Sequence, residues 1–200
     1  MFFKKKPKPA GPIDFLVVGL GNPGKQYEGT RHNFGFAALE YLAEKWNARL
    51  HKVKFSALCG EAAVEGQRVL LLMPQTYMNL SGQSVRDAMR FYKLPPDRVL
   101  LLFDDVSLPV GTVRIRQKGS DGGQKGMRNI IELTGRDNFL RIKLGIGPKP
   151  HPDYDLSAFV LSKFTETERP LALTAVKNAA AAAELMVTGQ TEKAFTQYSH

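Results

Sequence analysis

The sequence predicts an α/β fold: a single three-layer α/β/α domain around a mixed, largely parallel twisted sheet. Apolar runs of strand length alternate with stretches whose apolar residues recur at helical spacing, which is the pattern of a sheet covered by helices. The chain has 200 residues, 43% of them hydrophobic, which suits one compact domain with a complete core. It shows no internal repeat and no boundary of a second domain.

Up to residue 103, the sequence predicts four strands and two helices. Apolar runs indicate the buried strands, and Thr30 is a suitable N-cap for a helix in which apolar residues recur at helical spacing from Phe34 to Trp46. A turn at Glu65-Gly66-Gln67 separates two strands, and Pro95-Pro96 ends the second helix. The predicted elements are a strand at 15–20, a helix after Thr30, strands at 53–64 and 68–73, a helix at 81–92 and a strand at 99–103.

Beyond residue 103, turn signals again separate strands from helices. An alternating strand at 112–118 is followed by a Gly-rich loop at 119–126, a short helix around 127–133 and a strand at 139–146. A long helix is predicted from about Thr165 to Thr188, with Gly189 as its stop. Its alanine-rich centre indicates a closely packed helix.

Charge and cysteine content limit the class of protein. The formal net charge is +9, from 28 basic and 19 acidic residues, which favours polyanionic partners such as nucleic acids. Residues 1–13 hold four lysines and no acid, so we expect a basic flexible tail there and one folded domain at 14–200. The folded domain then has a formal net charge of +5. The single Cys59 excludes an intramolecular disulfide and indicates a reducing compartment. We find no membrane-length apolar run and no secretory signal, so we expect a cytoplasmic protein without a membrane partner.

Polar side chains follow three of the predicted strands. Asn22 and His32 come after the first, Asn79 follows the strand at 68–73, and Asp104 ends the strand at 99–103. If these strands are parallel, their carboxyl ends lie at one edge of the sheet and the four side chains share a cleft. A His oriented by a carboxylate can act as a general base on water, and amides can bind a carbonyl or a developing oxyanion.

Simpler interpretations exist for each of these residues. A His at a helix start is more often a surface or capping residue, and Asp104 could open a turn or cap a helix. Asn22 before a proline and Asn79 before Leu80-Ser81-Gly82 are ordinary turn chemistry. Their shared position after strands favours catalysis. The general-base hypothesis requires the Asp104 carboxylate within hydrogen-bond reach of a His32 nitrogen.

The sequence gives less support to two other kinds of site, a metal site and a dinucleotide site. The four histidines are scattered and none has metal-ligand spacing with Cys or carboxylates, so we expect no metal and no cofactor. Gly19-x-Gly21-x-x-Gly24 formally matches the dinucleotide fingerprint. However, the next helical pattern starts only after Thr30, and the acidic residue at a suitable distance, Glu40, falls within a helix. A dinucleotide site is therefore a minor alternative.

Two predicted strands carry basic residues on one side. Arg114, Arg116 and Lys118 alternate with apolar residues in the first, and Arg141 and Lys143 do so in the second. Such stripes could clamp phosphates, or they could simply form a solvated outer face of the sheet. The net charge favours binding of a polyanion.

Several longer motifs resemble the bacterial-type peptidyl-tRNA hydrolases, from about Phe15 to the C-terminal helix. They are Val18-Gly19-Leu20-Gly21-Asn22-Pro23-Gly24, Thr30-Arg31-His32-Asn33, Pro74-Gln75-Thr76-Tyr77-Met78-Asn79-Leu80-Ser81-Gly82, Asp104-Asp105 before Leu108-Pro109, and Gly122-Gly123-Gln124-Lys125-Gly126.

The resemblance implies a monomeric enzyme that hydrolyses the ester joining a peptide to the 3′ ribose of tRNA, without metal or cofactor. His32 matches the family's catalytic base and Asp104 its orienting partner. By the same resemblance, Asn22 and Asn79 hold the substrate and Met78 forms a pocket wall, and we expect Tyr27 to contact the substrate too. Arg116 and Lys143 match positions that grip tRNA phosphate.

The chain departs from the family pattern in its Gly-rich loop. Many relatives place His-Asn before the last glycine, whereas this chain has Gln124-Lys125. Lys125 offers only donors and a positive charge, so we expect it to contact RNA phosphate or the peptide. The alternative function is a non-catalytic RNA-binding protein of the same fold, although the presence of both His32 and Asp104 favours catalysis.

Overall fold

A seven-stranded sheet forms the centre of the computed structural model, which describes residues 11–199. The strands are β1 (Phe15–Gly19), β2 (Lys52–Lys54), β3 (Ala57–Val64), β4 (Gln67–Pro74), β5 (Val99–Asp105), β6 (Val113–Arg116) and β7 (Leu140–Gly145). The helices are α1 (Phe34–Lys45), α2 (Ser81–Tyr92), α3 (Lys125–Thr134), α4 (Leu156–Val160), α5 (Arg169–Val187) and α6 (Thr191–Tyr198). Short 3₁₀ turns lie at Lys25–Tyr27, Arg31–Asn33, Met78–Leu80 and Pro96–Arg98.

The strand order is β2-β3-β4-β1-β5-β7-β6. The four central strands β4, β1, β5 and β7 are parallel to their neighbours in that group, while β2 and β3 on one side and β6 on the other are antiparallel. The predicted mixed sheet is confirmed. Because β1, β4 and β5 are parallel, the loops that follow them emerge at the same edge of the sheet.

Helices cover both faces of the sheet, as predicted for three layers. Along β1, Val17 packs into the core beneath α1 and α5, whereas Leu16 and Val18 pack into the core beneath α2 and α3. Alternate residues of a strand point to opposite faces, so one buried strand contributes to both cores. The alanine-rich centre of α5 is largely buried, which confirms the predicted close packing.

Two predicted element boundaries were wrong. The strand predicted at 53–64 is divided into β2 and β3 by a turn at Phe55 and Ser56, both of which have positive φ. Tertiary packing favours this turn, since the Phe55 ring contacts Phe91 and Tyr92. Helix α5 starts at Arg169 rather than near Thr165, after a turn in which the side chains of Thr165 and Glu168 bond to each other's backbone N–H. The short helices α4 and α6 were not predicted.

The N-terminal tail was predicted at residues 1–13. Residues 1–10 lie outside the described residues, and Ile13 is buried against the sheet. Among residues 11–199, no helix is long and apolar enough to cross a membrane.

Candidate active site

A cleft of about 600 Å³ opens at the carboxyl ends of β1, β4 and β5. His32, Asp104 and the five residues predicted to bind substrate all line it; these five are Asn22, Tyr27, Met78, Asn79 and Lys125. The parallel arrangement of the central strands therefore brings together side chains that are far apart in the sequence, as predicted.

His32 and Asp104 are directly hydrogen-bonded. His32 Nδ1 lies 2.8 Å from Asp104 Oδ2, and Asp104 is only 4% exposed at the end of β5. Because a carboxylate only accepts hydrogen bonds, Nδ1 carries the donated proton, and the neutral ring keeps Nε2 as a proton acceptor. The contact that the general-base hypothesis requires is present.

The local structure around His32 differs from the prediction in two respects. His32 lies in the 3₁₀ turn Arg31–Asn33, immediately before α1, rather than in the first turn of that helix. Thr30 precedes this 3₁₀ turn, whereas the N-cap position of α1 is Asn33. The Thr30 hydroxyl donates to the Tyr27 carbonyl oxygen at 2.7 Å and makes no capping hydrogen bond. The extra turn sets His32 at the sheet edge, where it reaches Asp104.

A second network fixes Asn22 in the cleft. Asn33 bonds to both backbone polar groups of Asn22, accepting from its N–H at 2.8 Å and donating to its carbonyl oxygen at 2.9 Å. The Met78 N–H donates to Asn22 Oδ1 at 2.7 Å. Since Oδ1 is occupied, the Asn22 amide presents its Nδ2 as a donor to the cleft. Sequence analysis assigned no role to Asn33, whose contacts depend on the fold of the loop.

Gln124 is a further residue that sequence analysis missed. Its Nε2 donates to Asp104 Oδ1 at 3.0 Å and lies 3.1 Å from Met78 Sδ, while its Oε1 accepts from the Met127 N–H at 2.8 Å. The Gln124 side chain thus caps α3 and contacts the His32–Asp104 pair at the same time. Its position near the end of the Gly-rich loop, ahead of a predicted helix, was the available signal, but such a position indicates no more than a helix cap.

Arg31 anchors the turn that carries His32. Its guanidinium donates to Glu168 Oε2 at 2.7 Å and to the Ile146 carbonyl oxygen at 3.0 Å. Burial alone would raise the pKa of Glu168, but hydrogen bonds from Arg31 and Thr165 outweigh it and hold this pKa below its usual range. The charge network therefore ties the turn to the start of α5.

The remaining cleft residues differ in exposure. Tyr27 is half-buried and packs edge-on against Tyr77, with ring centroids 6.5 Å apart. Asn79 is exposed in the 3₁₀ turn after β4, and Lys125 is exposed as the first residue of α3. These side chains are free to meet a ligand that enters the cleft.

Only some of the basic side chains on β6 and β7 are available to bind phosphate. Arg116 is exposed, but Lys143 pairs with Asp105 at 2.9 Å. Burial favours a higher pKa for Asp105, yet bonds from Ser107 and Lys143 hold it below its usual value. Arg141 is buried and donates to the carbonyl oxygens of Gly119, Ser120 and Asp137. The idea of Arg141 on a solvated or phosphate-binding face is wrong, because its guanidinium holds the Gly-rich loop.

Metal and thiol chemistry find little support in the residues present. In the described part of the chain, no three His, Cys, Asp or Glu side chains lie together as potential metal ligands. Cys59 is buried, and this burial raises its pKa to about 11, so it stays a thiol rather than a nucleophilic thiolate.

Comparison with known proteins establishes the family. The model of the family described as peptidyl-tRNA hydrolase matches residues 16–200. The chain belongs to the peptidyl-tRNA hydrolase family. A peptidyl-tRNA hydrolase from Agathobacter rectalis is 49% identical over 186 residues, which cover 92% of this chain and 100% of that protein. One from Clostridium novyi is 44% identical over 185 residues, covering 92% of this chain and 97% of that protein.

Solved structures agree with this family membership. The crystal structure of peptidyl-tRNA hydrolase from Acinetobacter baumannii superposes with a TM-score of 0.87 at 36% identity, covering 96% of this chain and 99% of that one. The glycine fingerprint has no dinucleotide geometry here, since Gly24 is followed by a 3₁₀ turn and α1 opens only at Phe34. The resemblance of the motifs to the peptidyl-tRNA hydrolase family is confirmed.

Proposed function

We propose that this chain hydrolyses the ester between a peptide and the 3′ ribose of tRNA, with His32 as general base and Asp104 as its orienting partner. The observation that carries the proposal is the 2.8 Å contact between His32 and Asp104 in the cleft of a peptidyl-tRNA hydrolase fold. The reaction returns tRNA from aborted translation to use.

The proposed mechanism uses the free nitrogen of His32. Nε2 takes a proton from a water molecule while the water oxygen attacks the ester carbonyl carbon. The negatively charged Asp104 stabilises the imidazolium that forms, and the Asn22 and Asn79 amides donate to the developing oxyanion. The ester C–O bond then breaks, and His32 returns the proton to the ribose oxygen. The products are a peptide acid and a tRNA with a free ribose hydroxyl.

Substrate binding is assigned to the cleft wall and the neighbouring basic strands. Tyr27, Met78 and Lys125 would contact the peptide and the terminal nucleotide, because all three line the cleft. Arg116 and Lys143 would bind tRNA phosphates outside it, and the net charge of +9 supports attraction of a polyanion. Of the two, Arg116 is the exposed cation, whereas Lys143 would have to share its charge with Asp105.

The setting of the enzyme is proposed on the same basis. Peptidyl-tRNA arises during translation, so we place the protein in the cytoplasm. We propose that it acts as a monomer, as the resemblance of its motifs to the family implies. The proposed steps use only side chains of this chain, so no cofactor enters them.

Release of free tRNA from an N-blocked aminoacyl-tRNA tests the proposal. His32→Ala should lower turnover by about 10²–10⁴-fold, the usual share of a positioned general base. His51→Ala is the matched control, because the His51 side chain is exposed, contacts the Arg49 carbonyl oxygen through its ring Nδ1 and does not line the cleft. Equal turnover in the two variants would remove the mechanism. Binding of the tRNA by the wild-type protein without release would instead support the non-catalytic RNA-binding alternative.

A further inference from the structure

We infer that Gln124 is a positioning residue for the reaction, acting through Asp104. This inference rests on the proposed function, since it assigns Gln124 the task of fixing the carboxylate that orients His32. The two oxygens of Asp104 are divided between two donors: Oδ2 accepts from His32 Nδ1 at 2.8 Å and Oδ1 accepts from Gln124 Nε2 at 3.0 Å. Together they fix the plane of the carboxylate.

The orientation of the Gln124 amide follows from its neighbours. The Met127 N–H can only donate, so it must face the amide oxygen, and this contact is 2.8 Å long. The amide nitrogen then faces Asp104 and Met78. A flipped amide would place two acceptors against each other at Asp104 and two donors against each other at Met127. The N-terminus of α3 therefore determines which atom Asp104 meets.

Burial makes this donor hard to replace. Asp104 is 4% exposed and Gln124 is 7% exposed, so water has little access to the carboxylate oxygen that Gln124 serves. A buried carboxylate oxygen that loses its donor is left unsatisfied, and the side chain then gains by rotating toward other partners. Rotation of Asp104 would move Oδ2 away from His32 and leave the imidazole without a fixed orientation.

Two substitutions separate this positioning role from the capping of α3. Gln124→Glu keeps an oxygen for the Met127 N–H, so the cap is retained, but it presents a second carboxylate to Asp104. Gln124→Met removes both hydrogen bonds at similar side-chain size. Gln83→Glu is the control for added charge, because Gln83 is exposed on α2 and does not line the cleft.

The experiment measures kcat and KM for release of tRNA across pH, together with Tm for each variant. Wild-type turnover first establishes the proposed function. Both Gln124 variants should then lose about 10- to 100-fold in kcat near neutral pH with little change in KM, as expected for a misplaced catalytic group. In Gln124→Glu, the introduced carboxyl group can donate a hydrogen bond to Asp104 only when the introduced group is protonated. The neighbouring Asp104 carboxylate raises the pKa of the introduced group. The ratio of Gln124→Glu to wild-type kcat should therefore rise from about pH 9 to about pH 6.

Two results would overturn the assignment. One is wild-type kcat in Gln124→Met. The other is a ratio of Gln124→Glu kcat to wild-type kcat that stays constant with pH, or that changes with pH in the same way as the ratio for Gln124→Met, while Tm shows that Gln124→Glu is folded. Either result would limit Gln124 to the cap of α3, whereas absence of turnover in the wild-type protein would instead reject the proposed function itself.

Discussion

Replacement of Glu168 by Gln tests the network that anchors the His32 turn. Arg31 is almost fully buried, with its side chain 6% exposed, and the Glu168 side chain is 26% exposed. The guanidinium lies over the rings of Phe159 and Phe164, 4.8 and 4.7 Å from their centroids. Glu168→Gln keeps an acceptor for Arg31 but removes the charge, so a buried cation loses its counter-charge.

The expected loss of stability follows from the burial of the pair. Removing one partner of a fully buried ion pair costs about 3–5 kcal/mol. Here Gln still accepts a hydrogen bond and solvent partly screens Glu168, so we expect about 1–2 kcal/mol. For a chain of this size, that corresponds to a fall in Tm of about 2–8 °C. Glu166→Gln is the control, because Glu166 is 92% exposed and its substitution should leave Tm unchanged.

The loss of stability in Glu168→Gln should also depend on pH. The pKa of Glu168 is lower in the folded protein than its usual value, so its charge stabilises the fold above the unfolded pKa. That contribution is lost as the pH falls through the folded-state pKa, whereas the Gln variant does not titrate. The difference in unfolding free energy between wild type and variant should be full at neutral pH and shrink in acid. Denaturant unfolding at neutral pH and at a pH below the folded-state pKa of Glu168 measures this difference. A difference that is absent at neutral pH, or equal at the two pH values, would show that the charge of Glu168 does not stabilise the fold.

Two further substitutions test the packing beneath the site and the RNA-binding surface. Gly35→Ala should lower the free energy of unfolding by about 1–3 kcal/mol and should also lower kcat. The new Cβ would clash with the Leu102 carbonyl oxygen and lie 2.6 Å from Leu20 N, which forces α1 and the adjoining His32 turn off the sheet. An unchanged Tm would contradict this prediction. Arg116→Ala should weaken tRNA binding and reduce the slope of log K against log salt by about 1, whereas Lys177→Ala on α5 should leave the slope unchanged. Equal slopes in the two variants would remove Arg116 from the interface.

The sequence predicted the sheet well because its central strands are continuous apolar runs. Residues 15–19 and 99–103 are buried on both faces, so their hydrophobic pattern follows directly from their position. The turn at Phe55 and Ser56 carries no Gly, Pro, Asn or Asp to indicate it. It depends on packing of the Phe55 ring against α2, and a tertiary contact of this kind is not visible in local sequence.

The same distinction applies to the site. His32 and Asp104 could be predicted because each follows a strand, and parallel strands bring such positions together. Gln124 and Arg31 were missed because their roles come from partners far away in the chain, Asp104 and Glu168. The alternation of basic and apolar residues predicted the face of the strand on which Arg141 lies. It did not predict that the Gly-rich loop covers the Arg141 side chain.

In the proposed mechanism, His32 and Asp104 act as one unit on the ester of peptidyl-tRNA. The most direct test compares kcat of His32→Ala, Asp104→Asn and the double variant. Each single substitution should lower kcat by about 10²–10⁴-fold, and the double variant should be little worse than His32→Ala alone, because residues that act as a unit are not additive. Fully multiplicative losses, or a double variant that turns over like the wild type, would show that the two side chains do not act as one unit.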